Sequence, residues 1–167
     1  AIVSACAIPK RNSSKTNAQA GATLLLTLLQ SSQRNAITRQ SNVIVSFDTV
    51  YNRLRIVEDY NNNDTLNTSD RVVWRKIEEG VHFRTPPMGR LDGTTATAGY
   101  AGSDLRVVSD LPGVIFRRDG SASSDAELYV TLRNTERTEY RALVVAKSTG
   151  RTDMYKWTGT AWLKSTR

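Results

Sequence analysis

The sequence has little of what most enzymes and metal sites need: its 167 residues include one cysteine, Cys6, and one histidine, His82. A single cysteine excludes an intramolecular disulfide, and one histidine with one distant cysteine falls short of the ligands of a zinc site. His82 stands in "GVHFR", where we expect a structural or surface role. No convincing Ser/His/Asp or Cys/His set and no glycine-rich phosphate loop is present. The sequence therefore predicts a protein without catalytic activity, metal, cofactor or small-molecule substrate.

Acidic residues are absent from the first 47 positions, and Asp48 is the first one. The formal net charge of +7 is unevenly spread along the chain. Residues 1–41 carry five basic and no acidic residues, 42–132 carry ten basic and thirteen acidic ones, and 133–167 carry eight basic and three acidic ones. Two basic ends are compatible with nucleic acid, an anionic lipid surface, acidic partner subunits or a merely solvated surface.

Long hydrophobic runs are also absent, since no stretch reaches the ~20 apolar residues that cross a bilayer. The chain opens with "AIVSACAIP", which is followed by the basic step "KRNSSK". A signal peptide has its basic residues before the apolar run rather than after it. We therefore expect residues 1–9 to be the end of a longer apolar helix that anchors the complete protein in a membrane.

Residues 13–39 lack proline and β-branched runs, and their apolar residues recur at helical spacing, which predicts one long helix. At ~1.5 Å per residue, this helix is roughly 40 Å long. Gly21 within it costs about 1 kcal/mol relative to alanine, so packing must hold the helix together. The predicted apolar stripe consists of Ala18, Ala22, Leu25, Leu29 and Ala36, with Leu24 and Leu28 beside it.

After Gln40 the apolar pattern changes to a period of two, which predicts strands. "NVIVSFD" and "NRLRIVED" are the clearest, and later short segments bring the expected total to seven or eight antiparallel strands. Residues 85–113 hold three prolines and five glycines, and we predict an irregular excursion that is long enough to have a function. The expected fold class is α+β, with residues 1–41 as an N-terminal helix and 42–167 as a globular antiparallel β domain.

Two segments are candidates for binding a ligand. The C-terminal third interleaves Tyr155, Trp157 and Trp162 with basic residues, a combination that can grip a nucleic-acid backbone and stack on bases. The alternative, which the pattern favours, is a hairpin with core-facing aromatics and solvated cations. The second segment, "DYNNNDTLNTSD", spaces oxygen ligands as a calcium loop does but lacks the glycine and the final glutamate, so we interpret it as a polar turn. The candidate cations of the first segment are Lys147, Arg151, Lys156, Lys164 and Arg167.

Four motifs in order along the chain resemble the GspH/FimT family of type II secretion pseudopilins and type IV minor pilins. "AIVSACAIPKRN" resembles the end of the hydrophobic pilin helix, and "LLLTLLQSSQRNAITRQSNVIVSFD" is similar to the family's run from helix to first strand, although Asn35 stands where the family often has an acid. "GVIFRRDGSAS" resembles the family's strand and turn, and "STGR" its penultimate hairpin. The matching positions are Arg34, Ala36, Ile37, Arg39, Ile115, Phe116, Asp119, Gly120, Ser121, Gly150 and Arg151.

The resemblance implies a pilin-like fold, in which a long N-terminal α-helix packs on an antiparallel β-sheet domain. It implies a non-enzymatic subunit that is cleaved, methylated, held in the bacterial inner membrane facing the periplasm, and assembled with other pilin subunits, often at the filament tip. Leu24, Leu25, Leu28 and Leu29 are then the expected assembly face of the helix.

The resemblance also implies an alternative, because some FimT-like minor pilins bind DNA during uptake through a C-terminal "GR.R" element. Here Gly150 and Arg151 match that element, but Asp153 replaces the second arginine and would repel phosphate.

Overall fold

The computed structural model describes residues 13–77, 80–132 and 139–165, and its first element is one helix, α1 (Ser13–Arg39). The predicted extent of the helix is confirmed. It ends where Gln40 takes a left-handed φ of 55° and donates from its side chain to the carbonyl of Ile37 at 2.7 Å, which satisfies one of the carbonyls that a helix end leaves unpaired. The expected membrane-helix remnant at residues 1–9, Cys6 and Arg167 lie outside the described residues.

Eleven strands follow α1 in the described part of the chain. They are β1 (Asn42–Asp48), β2 (Arg53–Asp59), β3 (Arg71–Lys76), β4 (Val81–Phe83), β5 (Tyr100–Ala101), β6 (Arg106–Val108), β7 (Leu111–Phe116), β8 (Ala126–Leu132), β9 (Arg141–Val145), β10 (Thr152–Trp157) and β11 (Trp162–Lys164). The expected seven or eight strands are thus too few.

The strands form two antiparallel sheets rather than one. The first sheet has the order β3-β2-β1-β7-β6, and the second has the order β11-β10-β9-β8-β4, with β5 also paired to β8. Helix α1 packs on both, because it contacts β1 and β7 of the first sheet and β4, β8, β9 and β10 of the second. The α+β prediction is confirmed, and the division into two sheets is a feature that the strand pattern did not reveal.

The main core lies between α1 and the two sheets. Leu25 and Leu29 of the helix meet Phe47 of the first sheet and Leu143 of the second there, all of them buried. β1 is buried along its whole length, because its other face contributes Ile44 to a small second cluster. That outer cluster consists of Ile44, Val57, Val108 and Ile115.

Residues 85–113 are irregular as far as residue 99, as the sequence predicted, but not beyond it. They supply β5 to the edge of β8, β6 to the edge of β7, and the first residues of β7 itself. Before these strands, the backbone carbonyl of Gly89 accepts a hydrogen bond from Trp162 Nε1 at 3.3 Å, and Arg90 pairs with Glu127 at 3.2 Å. The segment therefore contributes strands to both sheets and contacts β8 and β11 of the second.

Candidate functional site

The two turns that carry the sequence resemblance meet at one helix side chain, Gln33. Its Nε2 donates to the carbonyl oxygens of Gly120 and Thr149, each at 2.7 Å. Gly120 and Gly150 both have positive φ, of 90° and 62°. A Cβ on Gly150 would lie 2.2 Å from the Gly120 oxygen, closer than any real Cβ contact. The close approach of the two turns therefore requires glycine at position 150, and the positive φ favours glycine at position 120.

The first of these turns is held by its own side chains. Ser121 donates to Asp119 Oδ1 from its hydroxyl at 2.7 Å and from its backbone N–H at 2.9 Å. The hydrogen bond from the Ser121 hydroxyl is the main reason that the pKa of Asp119 lies below its usual range, and the bond from the Ser121 backbone N–H is the second. The backbone N–H of Ala122 then donates to the carbonyl of Lys147 at 2.8 Å. The motif residues thus shape the fold at this point, and their contacts are structural.

A groove of about 1050 Å³ runs between α1 and the β10–β11 hairpin. One wall is the polar side of the helix, and the other is the hairpin. One end is closed by contacts across the groove, since Gln19 Nε2 lies 3.7 Å from Met154 Sδ and Gln19 Oε1 accepts from Arg141 Nε at 2.9 Å. The lining residues are Gln19, Thr23, Leu26, Thr27 and Gln30 on the helix and Arg151, Thr152, Asp153, Met154, Lys156, Leu163, Lys164 and Ser165 on the hairpin.

Three of the five predicted cations come together in this groove. Arg151, Lys156 and Lys164 line it. Lys147 does not, since it lies exposed in the turn that follows β9, where its backbone N–H donates to Asp125 at 2.8 Å. Arg167 lies outside the described residues, so the structure brings together only part of the predicted set.

Asp153 pairs with two of these three cations. Its Oδ1 lies 3.0 Å from Arg151 Nη2, and its Oδ2 lies 2.7 Å from Lys164 Nζ. Burial alone would raise the pKa of Asp153, but the hydrogen bonds from Lys164 and Arg151 outweigh it, so the pKa is below its usual range. Asp153 is therefore ionised at neutral pH and offsets positive charge that a phosphate would otherwise meet.

The two tryptophans of the hairpin lie on the face of the second sheet that points away from α1. Trp157 and Trp162 are a directly opposed pair, with ring centroids 5.4 Å apart, and Trp162 also packs against Tyr129 at 5.7 Å. Met154, whose sulfur contacts Gln19, is three positions from Trp157 on the same strand, so the two side chains point to opposite faces. Among the three cations, alternation places only Lys156 on the face of Met154. Arg151 lies on the face of Trp157, and so does Lys164, which the register pairs with Tyr155.

The four leucines of the expected assembly face are divided between interior and surface. Leu25 and Leu29 are fully buried at 0% exposure, where they pack on the protein's own sheets. Leu24 is 36% exposed, and Leu28 is half-buried at the margin of the core. Only Leu24 and part of Leu28 are therefore open to a neighbouring molecule.

The polar loop that follows β2 uses its oxygens internally. The Asp59 carboxylate accepts hydrogen bonds from the backbone of Asp64 at 2.8 Å and Asn63 at 3.3 Å. Asp64 Oδ1 in turn accepts from Arg117 at 2.6 Å. In the residues that the structure describes, no group of three or more histidine, cysteine or acidic side chains could hold a metal ion. His82 lies half-buried in the short strand β4.

One buried charged residue near the groove was missed by the sequence argument. Arg141 is only 4% exposed, and it donates to Gln19 of α1 and to the carbonyl of Tyr140 at 3.0 Å. Burial lowers its pKa from the usual arginine value, although the charge of Glu139 acts the other way. Nothing in the local pattern distinguishes Arg141 from an exposed strand residue, because its partner Gln19 lies 122 positions away in the sequence.

Comparison with known proteins rests on the fold. The sequence matches no model of a protein family and no curated protein. Two solved structures of the minor pseudopilin EpsH from the type 2 secretion system of Vibrio cholerae match with a TM-score of 0.53. One is 11% identical and the match covers 83% of this chain and 95% of that one, and the other is 15% identical with 91% and 99% covered. The type IV minor pilin FimU of Pseudomonas aeruginosa also has a TM-score of 0.53, at 11% identity, with 89% and 94% covered.

These matches confirm the predicted pilin-like fold, in which a long helix packs on antiparallel sheets. They span nearly the whole of each solved chain, so the likeness is one of complete architecture rather than of a shared fragment. The proteins that share the fold are described as a pseudopilin and a pilin, and neither description names an enzyme.

Proposed function

We propose that this chain is a minor pilin or pseudopilin of the GspH/FimT type, a non-enzymatic structural subunit of a type IV pilus or a type II secretion pseudopilus. The observation that carries the proposal is the division of α1 into a buried face and an open face. The helix is 27 residues long, and while one face packs on both sheets, its open face is available to the helices of neighbouring subunits. The shared fold and the order of the sequence motifs support the same assignment.

The open face of α1 contains one exposed apolar side chain. Leu24 is 36% exposed, and Thr27 is exposed near it. Ile37 is 44% exposed, but it lies about 140° further around the helix, beside the turn at Gly120. Residues three and four apart form the ridges by which helices pack. We assign the contact with other subunits to this face, with Leu24 and the exposed part of Leu28 at its centre.

The proposal includes the setting in which the subunit works. No helix in the described part of the chain has an apolar stretch long enough to span a bilayer. We assign anchoring in the bacterial inner membrane to an apolar segment upstream of residue 10, with the basic step after it at the membrane edge. The β domain then faces the periplasm, and the subunit joins the assembled filament, at its tip.

Substitution of Leu24 by aspartate should abolish incorporation of the subunit into filaments while leaving the fold intact, because a charge on the helix ridge cannot be buried unpaired between packed helices. Incorporation is measured by recovering sheared filaments from the source bacterium and probing them for the subunit. Val107→Asp is the matched control, since Val107 is 69% exposed on β6 and lies away from α1. A normal amount of the Leu24→Asp subunit in filaments would contradict the proposed face.

DNA binding is the second candidate function, and the groove is the observation that favours it. Arg151, Lys156 and Lys164 line one cavity beside a polar helix face, which is the electrostatic arrangement that a phosphate backbone requires. Asp153 opposes it. The candidate would make the protein a DNA-binding minor pilin that acts in DNA uptake.

Asp153 makes DNA binding by the groove testable, because removing this acid and removing the cations should have opposite effects. If the groove binds duplex DNA, Arg151→Ala combined with Lys164→Ala should weaken binding and reduce the slope of log affinity against log salt by about 2, one for each lost phosphate contact. Asp153→Asn should strengthen binding, because it removes a negative charge and releases both cations. Lys76→Ala with Arg106→Ala is the control, since both cations are exposed on other strands. Unchanged binding by the Arg151/Lys164 variant in a salt-dependent gel shift would exclude the groove.

A further inference from the structure

The free edge of the first sheet is formed by β3. This strand is last in the order β3-β2-β1-β7-β6, so among the described residues its ladder partner is β2 alone. Five of its six residues are exposed, and only Val73 is half-buried. In an antiparallel edge strand, every second residue directs its N–H and C=O away from the sheet, and these groups can pair with a further strand.

One face of β3 continues an apolar row of the sheet. The register places Ile44 opposite Val57, and Val57 opposite Val72. Ile44 and Val57 are buried in the outer cluster, whereas Val72 at the edge remains 40% exposed. An apolar side chain on an added strand at this level would cover Val72 and complete the row.

Trp74 lies two positions along the same face and is held in place by Arg53. The guanidinium carbon of Arg53 is 3.8 Å from the centre of the Trp74 ring and 4.8 Å from that of Tyr51, and its Nε donates to Asp48 at 2.7 Å. Trp74 is still 40% exposed, and Tyr51 is 67% exposed. Tryptophan, tyrosine and arginine carry most of the binding energy at interfaces, and side chains that are already fixed lose little entropy on binding.

The opposite face of β3 is basic. Arg71 and Arg75 lie there on either side of Val73, whereas Lys76 ends the strand on the face of Val72 and Trp74. The strand contains no acidic residue. Arg71 approaches Glu58 of β2 at 3.6 Å, but its side chain is 59% exposed. A strand that paired with β3 would therefore be stabilised by carboxylates on this face.

We propose that β3 binds an extended segment of a partner protein, in which apolar and acidic residues alternate, as an additional strand of the sheet. The apolar side chains of the segment would lie against Val72 and Trp74, and its carboxylates beside Arg71 and Arg75. A second copy of this chain does not fit, because β3 paired with β3 would oppose arginine and lysine to one another. The site is separate from the helix face, so it holds whether or not filament assembly through Leu24 does.

Amide hydrogen exchange on the 167-residue chain tests this proposal directly. The probe is a synthetic eight-residue peptide of alternating valine and glutamate, and the control peptide replaces each glutamate with lysine. The glutamate peptide should slow exchange at the outward-facing amides of residues 71–76, and the lysine peptide should not. An absence of slowing at β3, or slowing at the edge strands β6 or β11 instead, would overturn the proposal.

Two variants separate the two faces of the site. Trp74→Ala and Arg75→Glu should each weaken binding of the glutamate peptide about tenfold, and Arg75→Glu should gain affinity for the lysine peptide. Arg106→Glu on β6, the opposite edge of the same sheet, should leave binding unchanged. Unfolding curves that match the unsubstituted chain establish that the variants are folded. Equal binding by all four proteins, or a concentration-dependent dimer joined at β3, would count against the assignment.

Discussion

Replacement of Leu29 by alanine should lower the free energy of unfolding by roughly 2–5 kcal/mol. Leu29 is fully buried between α1 and the two sheets, and it is part of the main core. The helix contains Gly21 and mostly polar surface residues, so its stability depends on this packing rather than on its own propensity. Loss of the side chain leaves a cavity at the contact that holds the helix in place. Denaturant unfolding followed by circular dichroism measures the change.

Leu24→Ala is the matched control for this experiment. It is the same substitution on the same helix, but Leu24 is 36% exposed, so the expected loss is less than about 1 kcal/mol. Similar losses for the two variants would show that the helix does not rest on the sheets through Leu29. The comparison also bears on assembly, since it separates the leucines that stabilise the subunit from those that remain open to a neighbour.

Gly150→Ala should destabilise the protein by about 3 kcal/mol, for two reasons that add. The φ of 62° at Gly150 is unfavourable for alanine, and the new Cβ would lie 2.2 Å from the Gly120 oxygen and 2.7 Å from Gln33 Nε2. The substitution must therefore push apart the two turns and the helix side chain that joins them. Thermal and denaturant unfolding give the size of the effect.

Gly93→Ala isolates the first of these reasons. Gly93 also has a positive φ, of 82°, but a Cβ there would meet no atom within 4 Å. The expected cost is the backbone strain alone, about 1–2 kcal/mol. Equal effects at Gly93 and Gly150 would mean that the close approach of the turns contributes nothing.

The elements with a strong local signal could be predicted from the sequence. The helix from residue 13 to 39 and the strand from 42 to 48 have the expected bounds, because a helical stripe and an alternating apolar run are properties of neighbouring residues. β5 and β6 could not be predicted in the same way. They are two and three residues long, too short to show an alternating pattern, and they form because β8 and β7 offer an edge to pair with.

The candidate site was predictable only in part, for the same physical reason. The cations of the last hairpin are visible as a cluster in the sequence, and alternation along β10 could have indicated that its tryptophan faces away from Met154. The helix wall of the groove could not be foreseen, because Gln19 and Arg141 are brought together by the packing of α1 on the second sheet. The division of these leucines could be predicted, because the helical stripe contains Leu25 and Leu29, which are buried, and leaves the exposed Leu24 beside it.

The bond between Gln19 and Arg141 has a consequence for the order in which the protein is made. The two residues are 122 positions apart, so at about 5–20 residues per second a ribosome needs roughly 6–24 s to synthesise the second after the first. During that time β9 and β10 are missing, and the buried leucines of α1 can pack only on the strands that precede them, such as β1 and β7. The helix is synthesised before all the strands it packs on, and a chain that stops short of β9 leaves the part of its apolar stripe that faces β9 and β10 uncovered.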